Sequence, residues 1–321
     1  MAHEGTVDIE AHEGIVDIEP WLSEWCRREL GARPVEQLLA ASVMSDVRAL
    51  RLEDGREVVV KARPDPTGRV DTCLAVQRAV AEAGLPCARP LTEGRRAGEL
   101  TVHAEEWRPG GEIDRGTDAV AAERSARLYA AVTAVTSRLR DPAPMPAPEW
   151  VRWDHDGPGH WPPNPRHDQR PGAASLRGDL VAVAARTRRR LRAAASLPHV
   201  LGHADWEAQN LRWAGSTPFL VHDWDSTAWL PEAALVGAAS GAFASAETPT
   251  LAPLESSAAF LEAYQDARGA AFTREEAEAA WAASLWPALH NARGEILWGR
   301  PPQALTAVLE QADARLERAA A

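Results

Sequence analysis

Residues 202–210 read GHADWEAQN, and residues 219–226 read FLVHDWDS. Asparagine occurs only three times in the chain, and Asn210 is one of these occurrences. It follows Asp205 by five residues, on a predicted loop that leads into a strand. Asp223 follows the apolar letters FLV, which predict a second strand whose end carries this carboxylate. We therefore expect Asp205, Asn210 and Asp223 to face one cleft.

These residue types suit phosphoryl transfer, which needs few side chains. Asp205 is the candidate to accept the proton of an attacking hydroxyl group. Asn210 and Asp223 offer the oxygen ligands that Mg²⁺ prefers. Lys61 is the candidate cation for nucleotide phosphates, because it is the single lysine among 35 basic side chains. The planar guanidinium of arginine does not simply replace a compact ammonium group, so the retained lysine favours a function.

Three neighbouring residues are weaker candidates. His203, two residues before Asp205, is expected to brace the loop. Asp225 would point away from Asp223 on an extended chain, although a turn would bring it towards a second metal ion. Glu207 either contacts the substrate or covers the loop.

The chain has 321 residues, of which 45% are hydrophobic, and this is enough for one large domain or two lobes. Residues 1–20 form an extension in which AHEGTVDIE (2–10) recurs as AHEGIVDIE (11–19). Residues 21–106 are rich in predicted strands, and residues 107–321 are mainly helical. The predicted fold class is α+β, with a small antiparallel-sheet lobe followed by a larger, mainly helical lobe.

The first lobe is predicted to contain a helix from about Trp21 to Gly31, a strand–turn–strand unit over 42–64, a helix over 71–84 and a strand over 98–107. The second is predicted to contain a helix over 118–139, a loop over 141–173 in which residues 150–170 are a candidate substrate lid, a helix over 174–195, strands near 210–214 and 219–224, and helices from 232 onward. These assignments follow from periodicity and from the positions of glycine and proline.

Around Asp205, Asn210 and Asp223 the sequence resembles the protein-kinase-like superfamily, specifically aminoglycoside and related small-molecule phosphotransferases. That family carries His-Gly-Asp, four further residues and Asn, and then an apolar strand that ends in Asp-Trp or Asp-Phe. The corresponding segments are HADWEAQN (203–210) and FLVHDWDS (219–226). The resemblance extends from about residue 35 onward and implies a bilobal kinase-like fold.

The resemblance also implies a nucleotide site in the first lobe. Lys61 in EVVVKA matches the third-strand lysine that pairs with the α- and β-phosphates. HAEEWRPGG (103–111) resembles the linker between the lobes, so the backbone around Glu105, Glu106 and Trp107 is expected to meet the adenine. The implied cofactors are ATP, with GTP as the alternative nucleotide, and Mg²⁺.

Several positions depart from the family pattern. Ala204 replaces the glycine of the motif, and the expected phosphate loop, AASVMSDV (40–47), contains no glycine. Ser45 or Ser42 is expected to donate hydrogen bonds there instead. In the helix predicted to carry an acidic partner for Lys61, the nearest acid is Asp71. The family's second downstream Asp is replaced by AALVGAAS (233–240).

The expected activity is ATP-dependent phosphorylation of a hydroxyl group on a small molecule, including aminoglycosides and other antibiotics, which would confer antibiotic resistance. The tract from residue 232 to the end holds 12 acids and 6 arginines. Such a tract would suit a cationic acceptor, although solvated helix faces are the favoured explanation for most of these acids.

Composition limits the other partners. A net charge of −11 argues against nucleic acid, and no apolar run approaches the roughly 20 residues that span a bilayer. The acidic N-terminus and three cysteines without metal spacing predict a cytoplasmic protein. Its expected oligomeric state is a monomer or a homodimer.

Two other readings stay open. A kinase-fold protein that binds a nucleotide or another small molecule with weak or no catalysis would account for the glycine-poor loop. A metal hydrolase would use His203, Asp205, His222 and Asp223, but this assignment leaves Lys61 and Asn210 without a role.

Overall fold

The computed structural model describes residues 19–42, 45–139 and 145–321. The chain divides into two compact units, of which the first ends at Gly110 and the second comprises Gly111–Ala321. The duplicated nonapeptides lie outside the described residues, apart from Glu19, the last residue of the second copy. The extension over 1–20 and the functional division at 106–107 therefore stay predictions.

The first unit is built on an antiparallel sheet. Its described helices and strands are α1 (Pro20–Leu30), β1 (Pro34–Ser42), β2 (Asp46–Leu52), β3 (Glu57–Pro64), α2 (Arg69–Glu82), β4 (Arg95–Ala97) and β5 (Leu100–Glu106). The strand order is β1-β2-β3-β5-β4, and each neighbouring pair is antiparallel. The predicted small antiparallel-sheet lobe is thus confirmed.

The hairpin between β2 and β3 follows from the letters EDGR. The backbone N–H of Leu52 donates to the carbonyl of Arg56 at 2.8 Å. Gly55 has a φ of 86° in this turn, a conformation that glycine adopts without a steric penalty. The turn sets the register that places Lys61 opposite Val47 on β2.

The two faces of the sheet differ because successive side chains of a strand alternate. One face packs on α1 through a buried cluster whose members include Leu22, Trp25, Cys26, Val58, Val60, Ala62, Val102 and Ala104. Lys61 lies on the other face. There it meets Glu105 of β5, which in turn contacts Gln77 of α2.

The connection between β1 and β2 is shorter than the sequence indicated. The expected phosphate loop over 40–47 is mostly strand, because β1 continues to Ser42, β2 begins at Asp46, and these two residues pair. Ser45 lies between the strands, and residues 43–44 lie outside the described residues. The three-residue strand β4 was not anticipated either.

The second unit is mainly helical, as predicted. Its described helices and strands are α3 (Ala119–Thr136), α4 (Pro165–Asp168), α5 (Gly178–Ala193), β6 (His199–His203), β7 (Leu211–Ala214), β8 (Thr217–Val221), β9 (Thr227–Pro231), α6 (Glu232–Ala242), α7 (Leu254–Arg268), α8 (Arg274–Ala283), α9 (Trp286–Trp298) and α10 (Gln303–Arg318).

Two small antiparallel sheets organise this unit: β6 pairs with β9, and β7 pairs with β8. The sequence predicted the β7–β8 hairpin but neither β6 nor β9. Each of these strands is a short apolar run, which cannot be told from a helical segment by periodicity alone. Their pairing places His203 opposite Thr227.

Helix α6 begins where β9 ends, and it packs closely on α8. A Cβ atom added to Gly237 would lie 2.1 Å from the carbonyl oxygen of Ala280, and one added to Gly241 would lie 2.0 Å from that of Ser284. The AALVGAAS stretch is therefore a buried helix whose glycines allow backbone-to-backbone contact. Among the helices of the described residues, none is long and apolar enough to cross a membrane.

Candidate active site

His203 ends β6 and holds the loop that follows it. Its Nε2 lies 2.8 Å from the carbonyl oxygen of His222, and its Nδ1 accepts a hydrogen bond from the backbone N–H of Asp205 at 3.2 Å. Because Nδ1 accepts, Nε2 carries the ring proton and donates it. Burial lowers the pKa of His203, which favours this neutral ring. Both nitrogens thus bond to the backbone, as expected for a brace and not for a metal ligand.

Asp205 and Asn210 contact each other directly. Asn210 Nδ2 donates to Asp205 Oδ2 at 2.8 Å and to the Asp205 carbonyl oxygen at 2.9 Å. A 3-10 turn over Ala208–Asn210 lets the loop close on itself in this way. Since both contacts use the amide nitrogen, the amide oxygen of Asn210 faces away from Asp205. The structure therefore brings this predicted pair together.

The β7–β8 hairpin brings Asp223 to the same end as Asn210. Beyond the last strand pair, the N–H of His222 donates to the carbonyl of Asn210 at 2.8 Å. Asp223 then leaves the strand with φ 57° and ψ 51°. This left-handed conformation costs a non-glycine residue on the order of 1 kcal/mol, and Asp is among the residues that adopt it most readily. Asp223 Oδ2 accepts a hydrogen bond from Ser226 Oγ at 3.0 Å.

Three carboxylates influence one another around this loop. Burial raises the pKa of Asp205, the charge of Asp223 raises it further, and the hydrogen bond from Asn210 opposes the rise. Burial also raises the pKa of Glu207, and the charge of Asp205 adds to the effect. Carboxylates that repel one another favour a bound cation. Among the described residues, no group of three or more His, Cys, Asp and Glu side chains is placed to hold a metal ion. The candidate oxygen ligands for Mg²⁺ stay Asp223 and the amide oxygen of Asn210.

Glu207 and Asp225 are the other acids near the loop. Glu207 is buried, and its Oε2 accepts a hydrogen bond from Gln209 Nε2 at 2.7 Å. This favours covering of the loop over contact with a substrate. Asp225 lies in a 3-10 turn over Trp224–Ser226, so the chain is turned there and not extended. Its part in metal binding stays a prediction.

Helix α3 supports the loop from behind through residues that the sequence did not single out. Tyr129 donates from its hydroxyl group to the His203 carbonyl at 3.0 Å, and Trp206 Nε1 donates to Ser125 Oγ at 2.9 Å. The rings of Tyr129 and Trp206 meet edge to face, with centroids 4.7 Å apart. Only the rarity of tyrosine, which occurs twice in the chain, could have pointed to this contact.

The predicted lid also reaches the loop. Of the expected range over 141–173, residues 141–144 lie outside the described residues. Trp150 Nε1 donates to the carbonyl oxygen of Ala204, next to Asp205, at 2.9 Å. Its neighbour Glu149 accepts a hydrogen bond from Asn164. The structure thus places this segment beside the candidate base.

The same segment also packs on α9. Asp168 and Arg293 form an ion pair of 2.6 Å, and the rings of His167 and His290 lie 5.6 Å apart. Arg293 is only 4% exposed, yet its Nε and Nη1 are buried without a hydrogen-bond partner among the described residues. The indole nitrogen of Trp161 is in the same situation.

The acids of the C-terminal tract mainly hold helices together. Glu278 pairs with Arg190 at 2.8 Å, and Glu276 completes a capping box with Thr273. Glu295 accepts hydrogen bonds from three backbone N–H groups at the start of α10. These contacts favour structural roles over an acidic wall for a polyamine.

In the first unit, Lys61 pairs with Glu105. The distance from Nζ to Oε1 is 3.0 Å, and the two side chains are 12% and 8% exposed. The expectation that Asp71 is the acidic partner of Lys61 is therefore wrong, because the carboxylate that contacts Lys61 belongs to Glu105 on β5. Asp71 is exposed, and its Oδ1 accepts a hydrogen bond from the N–H of Gly94 at 3.2 Å.

The segment predicted to contact the nucleotide base, residues 105–107, uses backbone N–H groups for contacts within the first unit. Glu105 and Glu106 belong to β5, so the expected linker begins inside a strand. The N–H of Glu106 donates to the carbonyl of Arg89 at 3.0 Å, and that of Trp107 to the carbonyl of Glu57 at 3.4 Å. Hydrogen-bond donors for a nucleotide base would therefore have to come from other groups of this segment.

Solved structures of several other proteins share the fold, and three of them illustrate it. An amicoumacin kinase, hAmiN, in complex with AMP-PNP, Ca²⁺ and Ami is 11% identical, with a TM-score of 0.61 and coverage of 89% of each chain. A thermostable mutant of aminoglycoside phosphotransferase APH(4)-Ia with AMP-PNP and hygromycin B is 16% identical, with a TM-score of 0.58 and coverage of 94% of this chain and 99% of that one. Spectinomycin phosphotransferase APH(9)-Ia with ADP and spectinomycin is 12% identical, with a TM-score of 0.53 and coverage of 95% and 99%.

At these identities the structures establish a kinase-like fold and no more. No curated protein matches the chain. The phosphotransferase enzyme family, in contrast, matches residues 37–234, which is more than half of the sequence and includes Lys61, Asp205, Asn210 and Asp223. The chain therefore belongs to the phosphotransferase enzyme family.

Proposed function

We propose that this protein is an ATP-dependent kinase that transfers the γ-phosphoryl group to a hydroxyl group of a small molecule. The observation that carries the proposal is the direct hydrogen bond between Asp205 and Asn210, with Asp223 at the end of the adjoining hairpin. This set supplies a proton acceptor and oxygen ligands within a few residues, and family membership supports phosphoryl transfer as the reaction.

Asp205 acts as the general base. The acceptor oxygen forms a bond to the γ-phosphorus while its proton passes to the Asp205 carboxylate. The bond between the γ-phosphorus and the β,γ-bridging oxygen breaks, and ADP leaves with that electron pair. A carboxyl group whose pKa is raised by burial suits this role, because a base works best when its pKa lies near the working pH. The amide of Asn210 fixes the orientation of the carboxylate.

The remaining side chains hold the nucleotide. Asn210 and Asp223 would hold Mg²⁺, which when bound neutralises charge on the phosphates. Lys61 contacts the α- and β-phosphates, and Ser45 donates a hydrogen bond to them. The segment that ends at Trp107 adjoins the base of ATP, or of GTP in its place.

The acceptor binds where the lid approaches the loop. Trp150 fixes the lid beside Ala204, which adjoins Asp205 in the chain. A hydroxylated molecule bound against this segment would therefore have a hydroxyl group near the candidate base. Aminoglycosides and other antibiotics stay in the proposed range, with antibiotic resistance as the consequence.

The cellular location, oligomeric state and lobe division are proposed as well. The described chain has three buried cysteine thiols, Cys26, Cys73 and Cys87, which fits a reducing cytoplasm. We propose a cytoplasmic monomer or homodimer with a first lobe over 21–106 that binds nucleotide and a second lobe over 107–321 that binds the acceptor.

The test is ADP release from ATP and Mg²⁺, measured over a panel of aminoglycosides, amino sugars and hydroxylated compounds without amines. Asp205→Asn should lower turnover by roughly 100- to 10,000-fold, the range typical of a positioned general base. Asp179→Asn is the matched control, because Asp179 is an exposed acid of the same unit that pairs with Arg177. Full turnover by the Asp205 variant would refute the assignment.

A non-catalytic binding protein is the competing outcome. It predicts no ADP release with any acceptor, even where ATP binds. A thermal-shift titration with ATP and Mg²⁺ shows whether the protein has a nucleotide site at all, because a ligand at 100 times its Kd stabilises the folded state by about 2.7 kcal/mol. The active kinase and a non-catalytic protein that binds ATP should both show the shift, and a protein without a nucleotide site should not.

A further inference from the structure

We infer that Glu105, held in place by Gln77, positions the ammonium group of Lys61 against the nucleotide phosphates. The inference rests on the role proposed for Lys61. The resemblance to kinases implied an acid on the helix that follows the lysine strand. In this chain the charge comes from the neighbouring strand β5, and helix α2 contributes the amide of Gln77.

The register of the sheet explains the contact. Lys61 pairs with His103, and Val59 pairs with Glu105, on the antiparallel strands β3 and β5. Lys61 and Glu105 are therefore diagonal neighbours on the same face, a separation that long side chains bridge readily. The result is the 3.0 Å contact from Nζ to Oε1 between two largely buried groups.

Gln77 fixes the other half of the carboxylate. Its side chain is 2% exposed, and its Nε2 donates to Glu105 Oε2 at 2.6 Å and to the Ala88 carbonyl at 3.0 Å. One carboxylate oxygen thus faces the ammonium group while the other is held by the amide. An acid at position 77 would instead repel both Glu105 and the Ala88 carbonyl, so glutamine complements the acid on the strand.

The charges are consistent with this geometry. Burial by itself raises the pKa of Glu105, but the charge of Lys61, together with His103 and the hydrogen bond from Gln77, brings it below its ordinary value. The carboxylate is therefore ionised at neutral pH. Because both charges of the pair are anchored in one sheet, a displacement of α2 would remove the hydrogen bond from the uncharged Gln77 amide and leave the ion pair in place.

The experiment measures the Kd for ATP with Mg²⁺ by calorimetry, and ATP hydrolysis with water as the acceptor, so no knowledge of the natural acceptor is needed. Glu105→Gln should weaken ATP binding by roughly 10- to 100-fold, the range expected from losing a hydrogen bond to a charged group. Glu105→Asp should retain part of the affinity, and Gln77→Leu should lose several-fold. Glu93→Gln is the matched control, because Glu93 is an exposed acid of the same unit that pairs with Arg78.

The outcomes separate positioning from folding. A positioning role changes the Kd for ATP, whereas a purely structural role lowers the fraction of active protein at an unchanged Kd and would overturn the inference. If Glu105→Gln does not fold, unchanged affinity in both Glu105→Asp and Gln77→Leu would overturn it. Wild-type protein that binds no ATP would refute the proposed function first, and this inference with it.

Discussion

Replacement of Gly237 by alanine should destabilise the second unit markedly. The added Cβ would lie 2.1 Å from the carbonyl oxygen of Ala280, a backbone atom of α8. No rotamer change can relieve this contact, so α6 and α8 would have to separate by about 1 Å to restore an ordinary distance. Leu235, on the same helix, packs against Gly202 in β6, where an added Cβ atom would lie 2.8 Å from Leu235 Cδ1. The shift would therefore reach the strand that carries His203.

The magnitude follows from two opposing effects. Alanine is favoured over glycine inside a helix by about 1 kcal/mol. Overpacking typically costs about 1–3 kcal/mol, and contact with a backbone atom belongs at the upper end because the neighbour cannot rotate away. Gly294, inside α9, has nothing within 4 Å of an added Cβ, so Gly294→Ala carries the helix-propensity gain without the clash.

The assay is thermal unfolding of the two variants and the wild type, followed by circular dichroism. The difference between the variants cancels most of the propensity gain and isolates the steric cost. For a unit of this size, the Tm values of the two variants should differ by roughly 3–10 °C. The Tm of Gly237→Ala should lie below that of the wild type, and the Tm of Gly294→Ala should be equal to or above that of the wild type. Equal Tm values for the two alanine variants would refute close packing of α6 on α8.

Three further changes test other contacts. Tyr129→Phe removes the hydrogen bond to the His203 carbonyl and should cost about 1 kcal/mol in urea unfolding, with reduced turnover; unaltered stability and turnover would contradict the supporting role of α3. Arg315→Lys should destabilise by about 2–4 kcal/mol, because buried Arg315 donates to Ser284 and other groups that a lysine cannot reach together; an unchanged urea midpoint would contradict this. Burial lowers the pKa of His290 to about 4, whereas histidine in the unfolded chain has an ordinary pKa of about 6.5. As the pH falls, the unfolded chain is therefore protonated at His290 before the folded one, so the free energy of unfolding should be unaffected above a pH of about 6.5 and should fall as the pH drops towards 4. His290→Gln should flatten this fall in Tm between pH 7 and pH 5, and an identical slope in both proteins would refute it.

The convergence of the candidate site could be predicted because it is local. Asp205 and Asn210 lie on one loop, and a short hairpin carries the chain from Asn210 to Asp223. A spacing of five residues and one turn are enough to bring such side chains together. The class of fold followed from the same local signals, since strand patterns dominate the predicted first lobe, residues 21–106, and helical patterns dominate the second.

The contacts that were missed are non-local. The partner of Lys61 depends on the register of β3 against β5, which no spacing within either strand records. Asp71 was expected because it is near in the predicted helix, whereas Glu105 is near only after the sheet has formed. The pairing of β6 with β9 and the support from Tyr129 likewise join segments that are far apart in the chain.

The backbone at Asp223 limits what any substitution there can report. Within the described part of the chain, positive φ outside glycine is found at Asp223 and Ala320. An alanine at position 223 would remove the carboxylate and also resist the left-handed conformation, so a loss of activity would mix lost charge with a shifted loop. Asparagine tolerates that conformation and keeps the side-chain shape, which makes Asp223→Asn the variant that isolates the negative charge. Related sequences that have lost the metal-binding role should accordingly tolerate Asn or Gly at this point more readily than branched residues.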